Sequence, residues 1–559
     1  MRNLLFTVGF VFLVFTSCEK SNKEPDRYTQ GMVVSARAEA SDIGLSILQK
    51  GGNAFDAMIA TDLALAVSYP NAGNLGGGGF MVYRLANGQV GSLDYREKAP
   101  GLSSPDMYLD SLGNVISNKS TEGGLAVGVP GTVAGLFEVH EKFGSLPMRE
   151  LIQPAIDLAK KGVVITSKQL QRLNTYKEKI IELNDAGCFY NQHFTAGDTL
   201  RYNTLAKTLQ TIQSKGKKAF YQGAIAKEMV KYVSKKGGVL NLNDLTNYQA
   251  VWRDPIRFRY KDLTIISMGP PSSGGIVLGQ ILKMIEPFEL SQKDFLMPSS
   301  IQPIVEASRR AYADRSHYLG DPDFVTIPKD NLLDSEYLSQ RMDSFDWNRA
   351  TASSSISAGN LIVSESLETT HYSIIDSDGN AVSVTTTLNA NYGSKLLVPS
   401  LGFFLNNEMD DFSSKPGVPN LYGVIGGQVN AIAPNKRMLS SMTPTLIEQE
   451  DKLSMILGSP GGSTIITSVL QTIINVYDFK KNIQAAVEAP RFHHQWLPDS
   501  IKYEVSTFEV KTKNTLQNKG FHFYKQPTII GRVDAIKIHK DGSFSGGADP
   551  RGDDSVSGF

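Results

Sequence analysis

The chain has 559 residues and a balanced charge, because 56 Lys and Arg residues are matched by 56 Asp and Glu residues. Hydrophobic residues make up 41% and charged residues 20%, which excludes wholesale disorder and leaves ample chain for a large core. The neutral balance provides no basic surface for nucleic acid, and a total of two cysteines excludes a disulfide-rich scaffold.

The first residues have the pattern of an export signal. Arg2 precedes an apolar run over 4–15 that is too short to span a bilayer comfortably. Small residues then lead to Cys18, an order that resembles a bacterial lipoprotein signal, cleaved before Cys18 and lipidated on its sulfur. The alternative is an ordinary signal peptide with a chance cysteine. We expect a signal peptide over 1–17, a tether over 18–30, and a lipid-anchored protein of the periplasm or outer membrane.

Helical and strand patterns follow the predicted tether. Apolar spacing predicts helices over 36–49 and 54–67, and long helical patterns fill 130–250. The glycine run Gly76–Gly79 lacks the Lys and Ser/Thr of a phosphate-binding loop, so it predicts close backbone packing before a strand at Phe80–Tyr83.

Common catalytic signatures are missing from the sequence. There is no GxSxG elbow, Walker loop, HExxH or GxGxxG. The one adjacent histidine pair is His493 and His494, for which a structural role is favoured over a metal site. The sequence therefore predicts neither a metal nor a triad of a familiar type.

A serine-rich stretch over about 351–368 is typical of a mobile linker, and a predicted hairpin follows it. Strand patterns cover 371–376 and 381–388, and Asp378-Gly379 between them is a strong turn signal. Folding the hairpin about residue 378 pairs positions that add up to about 756. Thr387 then falls opposite Thr369.

Two hydroxyls at a strand start suggest a particular chemistry. If the peptide bond before Thr369 were cut, this residue would carry both a hydroxyl and a free α-amine. Such an amine has a reference pKa of about 7.7–8.0, so it can act as the base for its own hydroxyl near neutral pH. The alternative is that threonine is simply common in strands.

A series of ordered landmarks resembles the γ-glutamyltranspeptidases, which are N-terminal-nucleophile hydrolases. The resemblance runs from about residue 30 to the C-terminus. Its landmarks are NLGGGGF (74–80), DYREKAP (94–100), VGVPGTVAG (127–135), AYADRSHYLGDPDF (311–324), TTHYS (369–373), NNEMDDF (406–412), KPGVPNLY (415–422), LSSMTPT (439–445) and GSPGG (458–462).

The resemblance implies a fold and a maturation step. The fold is an α+β, four-layer αββα sandwich. The precursor cuts itself between Glu368 and Thr369, which gives a large subunit over 31–368 and a small catalytic subunit over 369–559. The two chains remain together as a heterodimer, and no cofactor or metal is implied.

The resemblance also assigns roles to individual residues. Thr369 matches the nucleophile that forms a γ-glutamyl ester, and Thr387 matches the second hydroxyl bonded to it. Gly461 and Gly462 match the backbone donors of the oxyanion hole, ahead of an apolar helix that starts near Thr464. The residues that match substrate contacts are Arg96, Ser440 and Ser441 at the α-carboxylate, Asn389, Glu408 and Asp411 at the α-ammonium, and Tyr422 in a lid loop.

The implied activity is that of a γ-glutamyltransferase and glutathione hydrolase. It would transfer the γ-glutamyl group from glutathione and other γ-glutamyl compounds to water, an amino acid or a dipeptide. Alternatives are a related acylase acting on cephalosporin side chains or a poly-γ-glutamate-processing enzyme, and an inactive surface protein that binds γ-glutamyl compounds. Arg96 with Glu408 and Asp411 favours a donor that carries a free α-amino acid group.

Overall fold

The computed structural model describes residues 24–185, 187–357, 370–415 and 428–559. Four residues with predicted roles lie outside these ranges, namely Cys18, Glu368, Thr369 and Tyr422.

The strands are β1 Met32–Ser35, β2 Gly78–Arg84, β3 Val90–Asp94, β4 Val163–Val164, β5 Thr199–Leu200, β6 Val251–Arg253, β7 Ile256–Tyr260, β8 Leu263–Ser267, β9 Thr370–Ile375, β10 Ala381–Thr387, β11 Thr445–Gln449, β12 Lys452–Gly458, β13 Phe492–His493, β14 Lys502–Tyr503, β15 Asp534–Ile538, β16 Phe544–Gly547 and β17 Ser555–Gly558.

Two antiparallel sheets form the centre of the molecule. The first has seven strands in the order β17-β1-β9-β10-β2-β3-β6. The second has six strands in the order β16-β15-β12-β11-β8-β7. Two further strand pairs, β4 with β5 and β13 with β14, lie outside these sheets.

Helices cover the outer faces of both sheets. In the first sheet α2 contacts β9 and β10, and in the second α10 packs on β7 and α14 on β12. The helices are α1 Ala38–Gln49, α2 Ala54–Ser68, α3 Thr132–Phe143, α4 Met148–Lys161, α5 Ser167–Leu183, α6 Asn203–Lys215, α7 Lys217–Tyr221, α8 Ala224–Lys235, α9 Leu242–Thr246, α10 Gly274–Ile285, α11 Pro298–Tyr318, α12 Lys329–Leu332, α13 Ser335–Met342, α14 Thr464–Tyr477, α15 Ile483–Glu488 and α16 Val510–Asn518.

The first sheet separates two hydrophobic cores. Alternate side chains of β2 belong to different cores, because successive residues of a strand point to opposite faces. Met81 and Tyr83 pack under the helices of the first layer, whereas Phe80 and Val82 join the core shared with the second sheet. The four-layer αββα sandwich that the resemblance implied is therefore confirmed.

Local sequence signals account for the elements that the patterns predicted. Asn53 caps α2 through a capping box with Asp56, and the helix ends at Ser68, one residue beyond the predicted end. The predicted helix over 36–49 begins two residues later, at Ala38. α14 starts at Thr464, as expected.

Two segments are more firmly packed than their composition indicated. The predicted tether over 18–30 ends earlier, since the Tyr28 backbone exchanges hydrogen bonds with Phe544 and the amides of 29 and 30 bond to the C-terminal residue. Part of the predicted linker over 351–368 is also packed against the rest of the chain. Ser353 is buried, and its Oγ donates to the Trp496 carbonyl at 2.6 Å. Residues 358–368 lie outside the described ranges.

None of the helices within the described ranges combines the length and the apolar character needed to traverse a bilayer.

Candidate active site

The hairpin of β9 and β10 carries the first group of predicted site residues. Thr370 faces Thr386 and Ile375 faces Ala381, so paired positions add up to 756 as the sequence predicted. Thr387 is fully buried at the end of β10. Its Oγ accepts a hydrogen bond from the Asn389 amide at 2.7 Å. Burial raises the pKa of Glu408, and the nearby Thr387 side chain acts against this rise.

The glycine run packs against the same strand end. A side chain on Gly77 would collide with the Thr387 carbonyl oxygen. Asn74 fixes this approach, because its Nδ2 donates to that oxygen at 2.7 Å while its Oδ1 accepts from the Gly77 amide at 2.7 Å. The predicted role of Gly76–Gly79 in close backbone packing is confirmed.

A buried ionic group, here called the Arg96 cluster, consists of Arg96, Glu97, Glu408 and Asp411. One guanidinium nitrogen of Arg96 lies 2.6 Å from Glu408 and 3.5 Å from Glu97, and the other contacts Asp411. All four side chains are buried. Glu408 places the cluster near Thr387, whose side chain acts to lower the pKa of Glu408 against the larger effect of burial.

The electrostatics of the Arg96 cluster are unbalanced. Burial acts to lower the pKa of Arg96, but the charges of Glu408, Asp411 and Glu97 outweigh it and raise that pKa. Burial raises the pKa of each of the three carboxyl groups, and Arg96 opposes this rise. Within these four residues the carboxyl groups outnumber the guanidinium, an arrangement suited to binding a further cation such as a primary ammonium.

Ser440 and Ser441 lie on a buried turn beside this cluster. Arg96 Nη2 donates to the carbonyl of Leu439, the residue before them, at 3.3 Å. Residues 269–275, which follow β8 and are rich in Gly, Pro and Ser, hold the turn. Ser273 Oγ in this segment donates to the Ser440 carbonyl at 2.8 Å. The structure thus brings Arg96, Thr387, Asn389, Glu408, Asp411, Ser440 and Ser441 into one contiguous group.

Gly461 and Gly462 form the turn before α14. Their φ angles are +123° and +63°, in the region that favours glycine. A side chain on Gly461 would lie 2.7 Å from Thr464 Oγ1 and 2.9 Å from the Gly531 backbone. This turn can therefore present backbone amides that a side chain would otherwise obstruct. Their predicted role as oxyanion donors stays a prediction.

The histidines near the site have structural contacts. His371 is buried, and its ring nitrogens hydrogen-bond to Thr385 at 3.0 Å and Ser373 at 3.1 Å. Burial lowers the pKa of His371 to about 3, so its ring is neutral near neutral pH. His493 bonds to Thr467 and His494 to Asp499, in keeping with the structural role predicted for this pair.

Two buried residues of the site received no role from the sequence. Glu97 belongs to the Arg96 cluster, and Arg315 hydrogen-bonds to Ser441 Oγ at 3.3 Å and to Ser273 Oγ at 3.0 Å. Burial lowers the pKa of Arg315 to about 9, although the nearby Asp411 opposes this shift. Both residues occur within the family landmarks, so their position in those segments was the available signal.

Known proteins are similar to this chain in both sequence and fold. Residues 40–559 match the family model described as Gamma-glutamyltranspeptidase. The "Glutathione hydrolase proenzyme" of Escherichia coli (strain K12) is 44% identical over 540 residues, which cover 96% of this chain and 93% of that relative.

Two solved structures are also similar. Cephalosporin acylase from Bacillus halodurans has a TM-score of 0.85 and 25% identity, covering 98% of this chain and 99% of the acylase chain. The γ-glutamyltranspeptidase of Helicobacter pylori has a TM-score of 0.56 and 42% identity, covering 58% of this chain and 94% of that chain. With a family match over most of its length and a close relative covered almost completely, the chain belongs to the γ-glutamyltranspeptidase family.

Proposed function

We propose that this protein is a γ-glutamyltransferase and glutathione hydrolase that matures by cutting itself between Glu368 and Thr369. The observation that carries the proposal is the buried Arg96 cluster, in which Glu408 lies near Thr387 at the end of β10. The similarity to the E. coli glutathione hydrolase proenzyme supports both the activity and a precursor.

Recognition of the donor follows from the chemistry of the cluster. Arg96 is suited to the α-carboxylate of the γ-glutamyl group, aided by Ser440 and Ser441, because a guanidinium binds carboxylates in bidentate fashion. Glu408 and Asp411, with Asn389, are suited to the α-ammonium, which supplies the missing cation. Tyr422 in the lid loop would cover the bound donor.

The reaction proceeds through an ester. The Thr369 hydroxyl attacks the γ-carbonyl, an O–C bond forms, and the C–N bond to the leaving amine breaks. The α-amine of Thr369 takes the hydroxyl proton and returns it to the leaving nitrogen. Backbone amides of Gly461 and Gly462 stabilise the oxyanion, and Thr387 orients the nucleophile. Water or an amine acceptor then releases the γ-glutamyl group.

The second candidate is an acylase acting on cephalosporin side chains. The close fold match to the Bacillus halodurans acylase favours it. The Arg96 cluster favours the γ-glutamyl donor instead, because an acyl group without an α-ammonium would leave its excess carboxylates without a second cation.

The N-terminal sequence supports a lipid anchor on Cys18 and a location in the periplasm or outer membrane. Replacing Cys18 with alanine should move the protein from the membrane fraction to the soluble fraction. An unchanged distribution would contradict the anchor and leave the enzyme assignment intact.

Maturation and activity can be tested together. The purified protein should give two bands on a denaturing gel, the smaller containing the 191 residues of 369–559. It should release colour from a γ-glutamyl anilide. A single full-length band without colour release would overturn the proposed function. Release of a cephalosporin side chain in preference to the γ-glutamyl group would favour the second candidate.

A further inference from the structure

An open cavity of about 720 Å³, here called the Gly461 cleft, is lined by Gly461 of the glycine turn and by Thr464, the first residue of α14. Its walls come from distant parts of the chain. They include Tyr69 after α2, Arg172 on α5, Asn391 after β10, Gly461, Lys502 on β14 and Tyr524. A cleft of this size can hold a dipeptide.

The charge of this cleft has one sign. Its lining includes Arg172, Lys502, Arg532 and Arg551, and no Asp or Glu among the residues that the structure describes. Two of these cations form ion pairs with carboxylates that do not line the cleft. Arg532 pairs with Asp554 at 3.0 Å, and Arg551 pairs with Glu504 and Asp549.

The other two cations have aromatic neighbours but, within the described ranges, no carboxylate partner. The Arg172 guanidinium lies 5.5 Å from the centre of the Tyr69 ring, and Lys502 Nζ lies 5.4 Å from that of Tyr524. Both side chains are half-buried. Burial lowers the pKa of Lys502, as expected for an ammonium without a counter-charge. A half-buried pair of such cations is suited to an anionic ligand.

We propose that Arg172 and Lys502 in the Gly461 cleft bind the C-terminal carboxylate of the leaving peptide of the donor, and the same group of an incoming amino acid or peptide acceptor. This inference rests on the proposed function, which places the ester and its oxyanion beside Gly461. The leaving dipeptide of glutathione ends in a carboxylate about 7 Å from the scissile nitrogen, at about 3.5 Å per extended residue. The carboxylate must therefore project away from the nucleophile, and the open cleft provides the space.

The assignment separates two ends of the substrate by charge. The γ-glutamyl end brings an ammonium to the carboxylate-rich Arg96 cluster. The peptide end brings a carboxylate to a cleft whose unpaired side chains are cations. A substrate bound in the reverse direction would bring the peptide carboxylate to the carboxylate-rich Arg96 cluster without an accompanying ammonium, which disfavours that orientation.

The test compares glutathione with its C-terminal amide as donors, by measuring glutamate release. Lys502→Gln and Arg172→Gln should each lower the preference for the carboxylate form about tenfold, the effect of about 1.4 kcal/mol from one charge-assisted hydrogen bond. Lys502→Arg should restore most of the preference. Lys142→Gln is the matched control, because Lys142 also lies over an aromatic ring, that of Trp252, but lines a different cleft.

A second arm uses glycylglycine and glycylglycinamide as acceptors, so that the leaving and accepting roles are distinguished. A selective loss in either arm supports the inference, and equal effects on the acid and amide forms in both arms would overturn it. If Lys502→Gln fails to mature into two chains, Arg172→Gln on α5 decides the question. A wild-type protein inactive on a γ-glutamyl anilide would instead overturn the proposed function.

Discussion

The Arg96 cluster and the Gly461 cleft lie near the end of β10 and differ in both charge and access to solvent. Thr387, the last residue of β10, lies near Glu408 of the cluster, whereas Asn391 lines the cleft. The cluster is fully buried and has more carboxyl groups than cations. The cleft is open, and its unpaired side chains are cations. On the proposed assignment, the γ-glutamyl end of the substrate is enclosed and bound with high specificity. The peptide end is bound in an open cleft with lower specificity.

Removing the nucleophile between the two regions should have the largest effect. Thr369→Ala is expected to give a full-length chain without activity, because the same hydroxyl attacks its own upstream carbonyl and later the substrate. The measurement is a denaturing gel with an anilide assay. Thr370→Ala is a matched control, since Thr370 Oγ1 is buried without a hydrogen-bond partner among the described residues. Two chains from Thr369→Ala would refute the nucleophile.

A change at the border of the cleft should reduce turnover. Gly461→Ala introduces a Cβ into contact with Thr464 and Gly531 at a φ of +123°. The displaced turn should misplace the oxyanion donors, and kcat should fall about 100-fold. Gly542→Ala, at a φ of +84° with open space around it, tests strain alone. Similar kcat losses in both variants would show that the effect is general destabilisation.

A conservative change in the buried cluster should have a smaller and more selective effect. Arg96→Lys keeps the charge but cannot contact Glu408 and Asp411 with the same planar fork. KM should rise about ten- to hundredfold, corresponding to about 1.5–3 kcal/mol, for donors with a free α-carboxylate. Donors in which this carboxylate is an amide are the comparison. An equal rise for those donors would contradict the proposed contact.

The pH dependence tests which group is the base. We expect activity to rise between about pH 6 and 9 as the α-amine of Thr369 loses its proton. Because burial lowers the pKa of His371 to about 3, its ring is already neutral throughout this window and cannot produce the rise. The ascending limb should persist in matured His371→Asn, measured as a pH–rate profile. Its disappearance with intact maturation would overturn the amine as base.

Local signals were sufficient for much of the fold. The turn at Asp378-Gly379 gave the register of β9 and β10, because a tight hairpin determines which residues face each other. The glycine run was also interpretable, since a missing side chain indicates a close approach. Composition alone was a weaker guide for the serine stretch, because Ser353 is held by Trp496 and Asp499, which are distant in sequence.

The site was predictable only where the family landmarks reached it. Arg96, Glu408 and Asp411 were identified through the resemblance, and their contacts span more than 300 residues of sequence. Arg315 lies within a landmark but received no role, because its contacts with Ser273 and Ser441 arise only on folding. The Gly461 cleft was not predicted either. The cleft is assembled from helices, strands and loops that only tertiary packing brings together.

The order of strands in the first sheet has a consequence for the life of the mature enzyme. A cut before Thr369 would assign β1, β2, β3 and β6 to one product and β9, β10 and β17 to the other. The hydrogen-bonded ladders β17–β1, β1–β9 and β10–β2 would then each join different polypeptides. Separating the products would break these three ladders and open both cores, so dissociation is equivalent to denaturation. Folding must therefore come before the cut, and fragments synthesised separately should fail to assemble efficiently.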